Sequence, residues 1–249
     1  MTGRPRSGKT VAQVIRQVAT CTNCELVRNC RSPVPLTIPY MSPKSHHPSM
    51  RALSAATYMV VGEAPGRVED HQNTPFIGPS GQFLRRALQR SGLDPSNGYY
   101  LNVVSCWPHG TPLPIHIKSC RGNLFDQLQC VDVKPVLVCG NVALSSIMPK
   151  VAMMNVAGRA IPVHGKIIYP VNHPAYVEFR ASRDTQLNWQ TQIDRFRLLV
   201  EGVDIDTAAS CLYCNKSRVK GSQTCHKHDS LFAQDSYWKP ASVQGELFE

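Results

Sequence analysis

A chain of 249 residues, 42% hydrophobic and 18% charged, has the apolar content of a globular protein and room for one large core plus a small appendage. Its formal charge of +10, from 27 Lys plus Arg against 17 Asp plus Glu, fits a polyanionic partner and an ordinary basic surface equally well. No stretch approaches about 18 uninterrupted apolar residues, and MTGRPRSGKT lacks an apolar signal core, so neither a membrane span nor export is expected and the chain reads as intracellular, cytoplasmic or nucleoid-associated.

In chain order, VAQVIRQVAT reads as a short helix that delivers Cys21 and Cys24, a CxxC pair, with Cys30 six residues beyond. The ten cysteines are clustered, which in an intracellular protein points to metal and not to disulfides. Residues 31 to 54 are rich in Pro, Ser and His without a sustained period and read as an irregular excursion. There His46 and His47 are expected to be solvent-exposed. Tyr58 to Val61 is a buried strand stopped by Gly62, Pro65 and Gly66. Glu63, Glu69 and Asp70 follow, then Pro75, Phe76 and Gly78, a small-residue turn at Pro79 to Gly81, and a helix over QFLRRALQRSG closed by Gly92. A loop so dense in Gly, Pro and acid at the carboxyl end of a strand is a site candidate.

LNVV is a second strand, with Asn102 on it or at its mouth. The Asn102 amide offers a donor and an acceptor, as the edge of a base requires, or it pairs with nearby backbone. Cys106 and Trp107 follow, then a proline-broken loop, and Cys120 opens a helix over CRGNLFDQLQCVD. VLVCG is a third strand, and strand-helix-strand order predicts a parallel sheet covered by helices. Cys130 and Cys139 read as packed residues. Cys21, Cys24, Cys106 and Cys120 remain as four soft ligands, compatible with zinc or an iron-sulfur centre, and Cys30 is the rival for one place. Arg159, His164 and Lys166 form a modest basic patch that meets phosphates or is ordinary surface charge. Ile167 to Tyr169 is a further strand running into Asn172-His173-Pro174-Ala175-Tyr176, and Ser182 to Val200 reads as a closing helix.

Gly62-Glu63-Ala64-Pro65-Gly66 with Glu69-Asp70 and Pro75-Phe76-Ile77-Gly78 resembles the first motif of the iron-sulfur, family-4-like uracil-DNA glycosylases, within the uracil-DNA glycosylase superfamily. Asn102 with Cys106 and Pro108, and His173-Pro174-Ala175-Tyr176, are similar to that family's later motifs, so the resemblance covers about residues 15 to 200. It implies hydrolysis of the N-glycosidic bond of uracil in DNA. Phe76 would stack on the flipped base, Asn102 would read its edge, and Glu63 would help to shape the pocket. Glu69 would position or activate water near C1', and His173 would stabilise the leaving base. It also implies a structural [4Fe-4S] cluster on Cys21, Cys24, Cys106 and Cys120, and a hydrophobic wedge for which Val177 and Phe179 are the nearest residues. Trp107 stands where the family commonly has arginine; it shields the cluster or stacks on DNA. Glu178 would meet phosphates unfavourably if it faced the duplex.

Beyond Gly202, Cys211-x2-Cys214-x10-Cys225-x2-His228 has the spacing of a small zinc unit, with His226 as alternative fourth ligand. Nearby lysines, Tyr237 and Trp238 would add phosphate and stacking contacts or form a solvated surface. The expectation is therefore a three-layer α/β/α sandwich with a short, mainly parallel sheet over residues 1–202, and a zinc-binding tail over 203–249. The expected partner is DNA carrying uracil or another modified base, and the expected state a monomer. Two alternatives stay open: a glycosylase for another base, and a non-catalytic nucleic-acid-binding protein.

Overall fold

Runs of β-branched and aromatic residues set the sheet: β1 (Tyr58–Gly62), β2 (Gly98–Asn102), β3 (Pro135–Cys139), β4 (Ile161–Val163) and β5 (Lys166–Val171). The structure, a computed structural model, describes residues 8–37, 56–203 and 205. His46, His47 and the tail ligands Cys211, Cys214, Cys225 and His228 lie outside the described residues. The strand order is β2-β1-β3-β5-β4. The first four strands are parallel, and β4 closes the edge as the antiparallel arm of a hairpin with β5. The hairpin turns at His164 and Gly165, both at positive φ.

All of β1 and β2 is buried, as a parallel sheet covered on both faces demands. The pleat divides the side chains. Met59, Val61, Tyr99, Leu101, Val136 and Val138 enter one core, packed by α1 (Val11–Ala19), the helix Pro114–Gln129, Asn141–Ile147 and Met153–Val156. Tyr58, Val60, Tyr100, Leu137, Tyr169 and Val171 enter the other, packed by Pro79–Arg90, Pro174–Phe179 and Arg183–Val200. With the rim helix α2 (Arg67–Gln72), these become α3 (Pro79–Arg90), α4 (Pro114–Gln129), α5 (Asn141–Ile147), α6 (Met153–Val156), α7 (Pro174–Phe179) and α8 (Arg183–Val200). The expected layered α/β architecture is borne out as a mostly parallel sheet flanked by helices on both faces.

Three boundaries differ from the sequence reading, and each has a local cause. Pro79 to Gly81 is no turn but the first turn of α3, because proline at the first helical position loses only an N–H that would be unpaired anyway. Pro114 starts α4 six residues before Cys120 for the same reason, so Cys120 sits within the helix and not at its opening. Strand β2 covers Gly98–Asn102 and ends where LNVV was expected to continue. Val103 and Val104 still donate to the carbonyls of Gly62 and Glu63.

Candidate active site at the carboxyl edge of the sheet

The chain leaves β1 for β2 on one side and later returns to β3 on the other, so the sheet reverses direction of growth beside β1. Such a switch opens a crevice at the carboxyl ends of the strands. The register sets Gly62 level with Asn102, and His173 stands two residues past Val171, which is paired with Cys139. A cleft of about 980 Å³ lies there, lined by Glu63, Glu69, Phe76, Asn102, Trp107 and His173, among others. All five pocket residues named from sequence therefore face one space.

Gly62 lets this floor close. A Cβ there would run into the Asn102 amide oxygen and sit 2.6 Å from the Phe76 ring. Phe76 itself holds φ at +59°, a left-handed conformation that a bulky residue adopts at a cost. Its ring leans on Tyr100, with centroids 5.5 Å apart.

Glu69 is 7% exposed, and both of its oxygens accept backbone N–H groups: Oε1 from Gly78 at 2.7 Å and Oε2 from Gly66 at 3.2 Å. The carboxylate thus pins the two ends of the loop that carries Phe76 while facing the cleft. Glu63 is half-buried, and desolvation raises its pKa. Asp70 turns away from the cleft and accepts the Arg31 N–H at 3.0 and 3.1 Å.

His173 caps α7, its Nδ1 accepting the Ala175 N–H at 3.2 Å. Burial lowers its pKa. A neutral ring with an acceptor Nδ1 carries its proton on Nε2, leaving that nitrogen as a donor. Gly140, at φ +91°, allows the close approach of β3 to this ring, since a Cβ would lie 3.0 Å from the His173 Cβ.

The wedge and phosphate candidates separate. Val177 is fully buried in the core and is not a wedge, because α7 turns it toward Trp189 and Ile193. Phe179 is 65% exposed and lines the cleft. Glu178 pairs with Arg86 at 3.3 Å. Lys166 is buried, with Nζ donating to the Val131 and Val133 carbonyls at 2.8 and 2.7 Å, so it holds a loop together and does not meet phosphate. Arg159 donates to the Asn155 carbonyl and stands apart from the cleft lining. Sequence reasoning missed the basic groups that do line it, Arg67, His109 and Arg180. Arg67 and Arg180 directly follow Gly66 and Phe179, a proximity that was the only available signal.

The cysteines of the N-terminal segment, the post-β2 loop and α4 are electrostatic neighbours: Cys106 with Cys30, Cys120 and Cys24, and Cys120 with Cys24 and Cys21. Burial raises Cys106, and raises Cys120 to about 11. Asn123 Nδ2 donates to Cys21 Sγ at 3.3 Å. Among the described residues no group of three or more such side chains is arranged as a metal site. By its chemistry the donor set, soft thiols converging from three parts of the chain, fits a thiophilic metal or cluster. Cys130 and Cys139 are buried core residues as expected.

The family model for the uracil DNA glycosylase superfamily matches residues 48–196. The chain is 34% identical over 122 residues to a type-4 uracil-DNA glycosylase of Thermotoga maritima, 47% of this chain and 64% of that protein. Over 92 residues it is 34% identical to one of Pyrobaculum aerophilum, 36% and 47% of the two chains. A third, of Archaeoglobus fulgidus, is 26% identical over 183 residues, 69% and 85% of the two chains. The matched regions span less than two thirds of the first two relatives.

Proposed function

Since the chain belongs to the uracil DNA glycosylase superfamily, in its type-4 branch, we propose that it hydrolyses the N-glycosidic bond of uracil in DNA and leaves an abasic site. The observation that carries this reading is the convergence of Glu69, Phe76, Asn102 and His173 on one cleft at the sheet's carboxyl edge. The target nucleotide leaves the stack and enters the cleft. Phe76 covers the base, and the Asn102 amide reads its edge with one donor and one acceptor. As the C1'–N1 bond breaks, its electron pair stays with the base, and the His173 Nε2–H donates to the oxygen where that charge collects. Glu69 faces the positive charge growing on the sugar. Its lone pairs beyond those taken by Gly66 and Gly78 orient the water that attacks C1', whose proton passes to the carboxylate or to solvent. Phe179 is the wedge that holds the gap in the stack.

Cys21, Cys24, Cys106 and Cys120 would hold a [4Fe-4S] cluster. It would supply no step of the hydrolysis and would tie the N-terminal segment to the post-β2 loop and α4. Cys211, Cys214, Cys225 and His228 would hold zinc in a tail that adds DNA contacts.

A duplex with a single uracil, incubated with the protein and then treated with alkali, should break at that position, while the matched thymine duplex stays whole. An unbroken uracil strand at high enzyme excess contradicts the proposal.

A further inference from the structure

The cleft has a second aromatic wall that the proposed chemistry does not use. The Trp107 and His109 rings are stacked, with centroids 3.9 Å apart and planes 25° apart, and both line the cleft. From α7, Tyr176 and Phe179, 48% and 65% exposed, line the same cleft, as do Arg67 and Arg180. His109 is exposed, and it holds φ at +56°, a conformation that costs a non-glycine residue energy and persists only when its surroundings fix it. What fixes it is visible: its Nε2 lies 2.9 Å from the Asn29 carbonyl, so the ring donates there while its face rests on Trp107.

Asn29 belongs to the segment carrying Cys24 and Cys30. That segment is tied down twice more, by the Arg31 N–H on Asp70 and by Glu25 to His116 Nε2 at 2.7 Å on α4. The wall is thus braced from outside the cleft, as a surface meant to receive a flat partner requires. Aromatic faces beside cationic groups are the combination that binds unstacked nucleotides without reading their sequence.

We propose that the Trp107–His109 pair is a stacking platform for a nucleobase next to the extracted one, held in place through Asn29 by the cysteine-bearing segment. This rests on the uracil-excision reading for its partner but not for its test. The full-length protein is titrated with an oligonucleotide carrying a tetrahydrofuran abasic analogue, which cannot be hydrolysed, and affinity and tryptophan emission are followed. Wild-type emission should fall on binding. In a Trp238→Phe background, which removes the tail's tryptophan, Trp107→Phe should keep most of the affinity but lose that fall, because Trp189 is buried in the core. Trp107→Ala should weaken binding roughly tenfold, His109→Ala should weaken it less, and Met154→Ala, at an exposed residue on α6, should bind as wild type. Wild-type affinity in a folded Trp107→Ala protein overturns the platform. If that protein still releases uracil, the proposed activity stands without the platform. If emission falls in a Trp107-dependent way and no uracil is released, the platform stands and the activity reading fails.

Discussion

His173 and Glu63 share one cleft, and burial shifts their pKa values in opposite directions. For His173 the unfolded chain takes up a proton that the folded site resists. Its contribution to stability is present above the usual value of 6.5 and is lost as pH falls through the depressed one. The ring therefore stays neutral through the neutral range, with the Nε2–H in place. His173→Ala should slow single-turnover uracil release by on the order of 10²- to 10³-fold, the usual loss for a preplaced donor. Glu63 has the reverse sign: its raised pKa contributes stability below 4.5, and that contribution is lost as pH rises through the folded value. Glu63→Gln should accordingly raise the melting temperature at pH 7 to 8, with the gain shrinking towards pH 4. A gain independent of pH would show that desolvation of the carboxylate is not its source.

At the scale of elements, the motif loop was legible because its residue types have few other uses, and three boundaries were not. The strand signal of Leu101 to Val104 was strong, yet pairing with β1 places Gly98 to Asn102 in the ladder, and register is a tertiary property. Pro79 and Pro114 read equally as turn or helix start, and only the packing of α3 and α4 decides. Val177 and Phe179 are two residues apart on α7, and the direction of one short helix sends the first inward and leaves the second exposed. Lys166 looked like surface charge in the sequence, where its two carbonyl partners thirty-odd residues away cannot be seen. The Trp107–His109 stack likewise depends on the Asn29 carbonyl, eighty residues earlier. Gly62 was read as a strand stop, but its heavier duty is to let Asn102 and Phe76 approach β1. Gly62→Ala should lower uracil release by on the order of 10²-fold through misplacement of both side chains, at a stability cost of about 1–3 kcal/mol. Activity near wild type would mean that the floor tolerates a shift.

Over the whole molecule, the candidate site lies at one edge of the sheet, and the N-terminal cysteine segment braces that edge through Glu25, Asn29 and Arg31. Among the described residues no helix is long and apolar enough to cross a membrane. Metal analysis of anaerobically prepared full-length protein should find about four irons and about four sulfides per chain, with about one zinc. Cys106→Ser or Cys120→Ser should remove the iron and sulfide together, and truncation after Gly202 should remove the zinc alone. Zinc without iron in the full-length protein would contradict the cluster. The proposed activity turns on which base leaves the DNA. The most direct measurement is mass spectrometry of the free bases released, under enzyme excess, from a mixture of oligonucleotides carrying uracil, thymine or hypoxanthine. Free uracil alone is expected, released on the order of 10²- to 10³-fold more slowly when His173 is replaced by alanine; release of another base without uracil, or of none, would contradict the proposed activity.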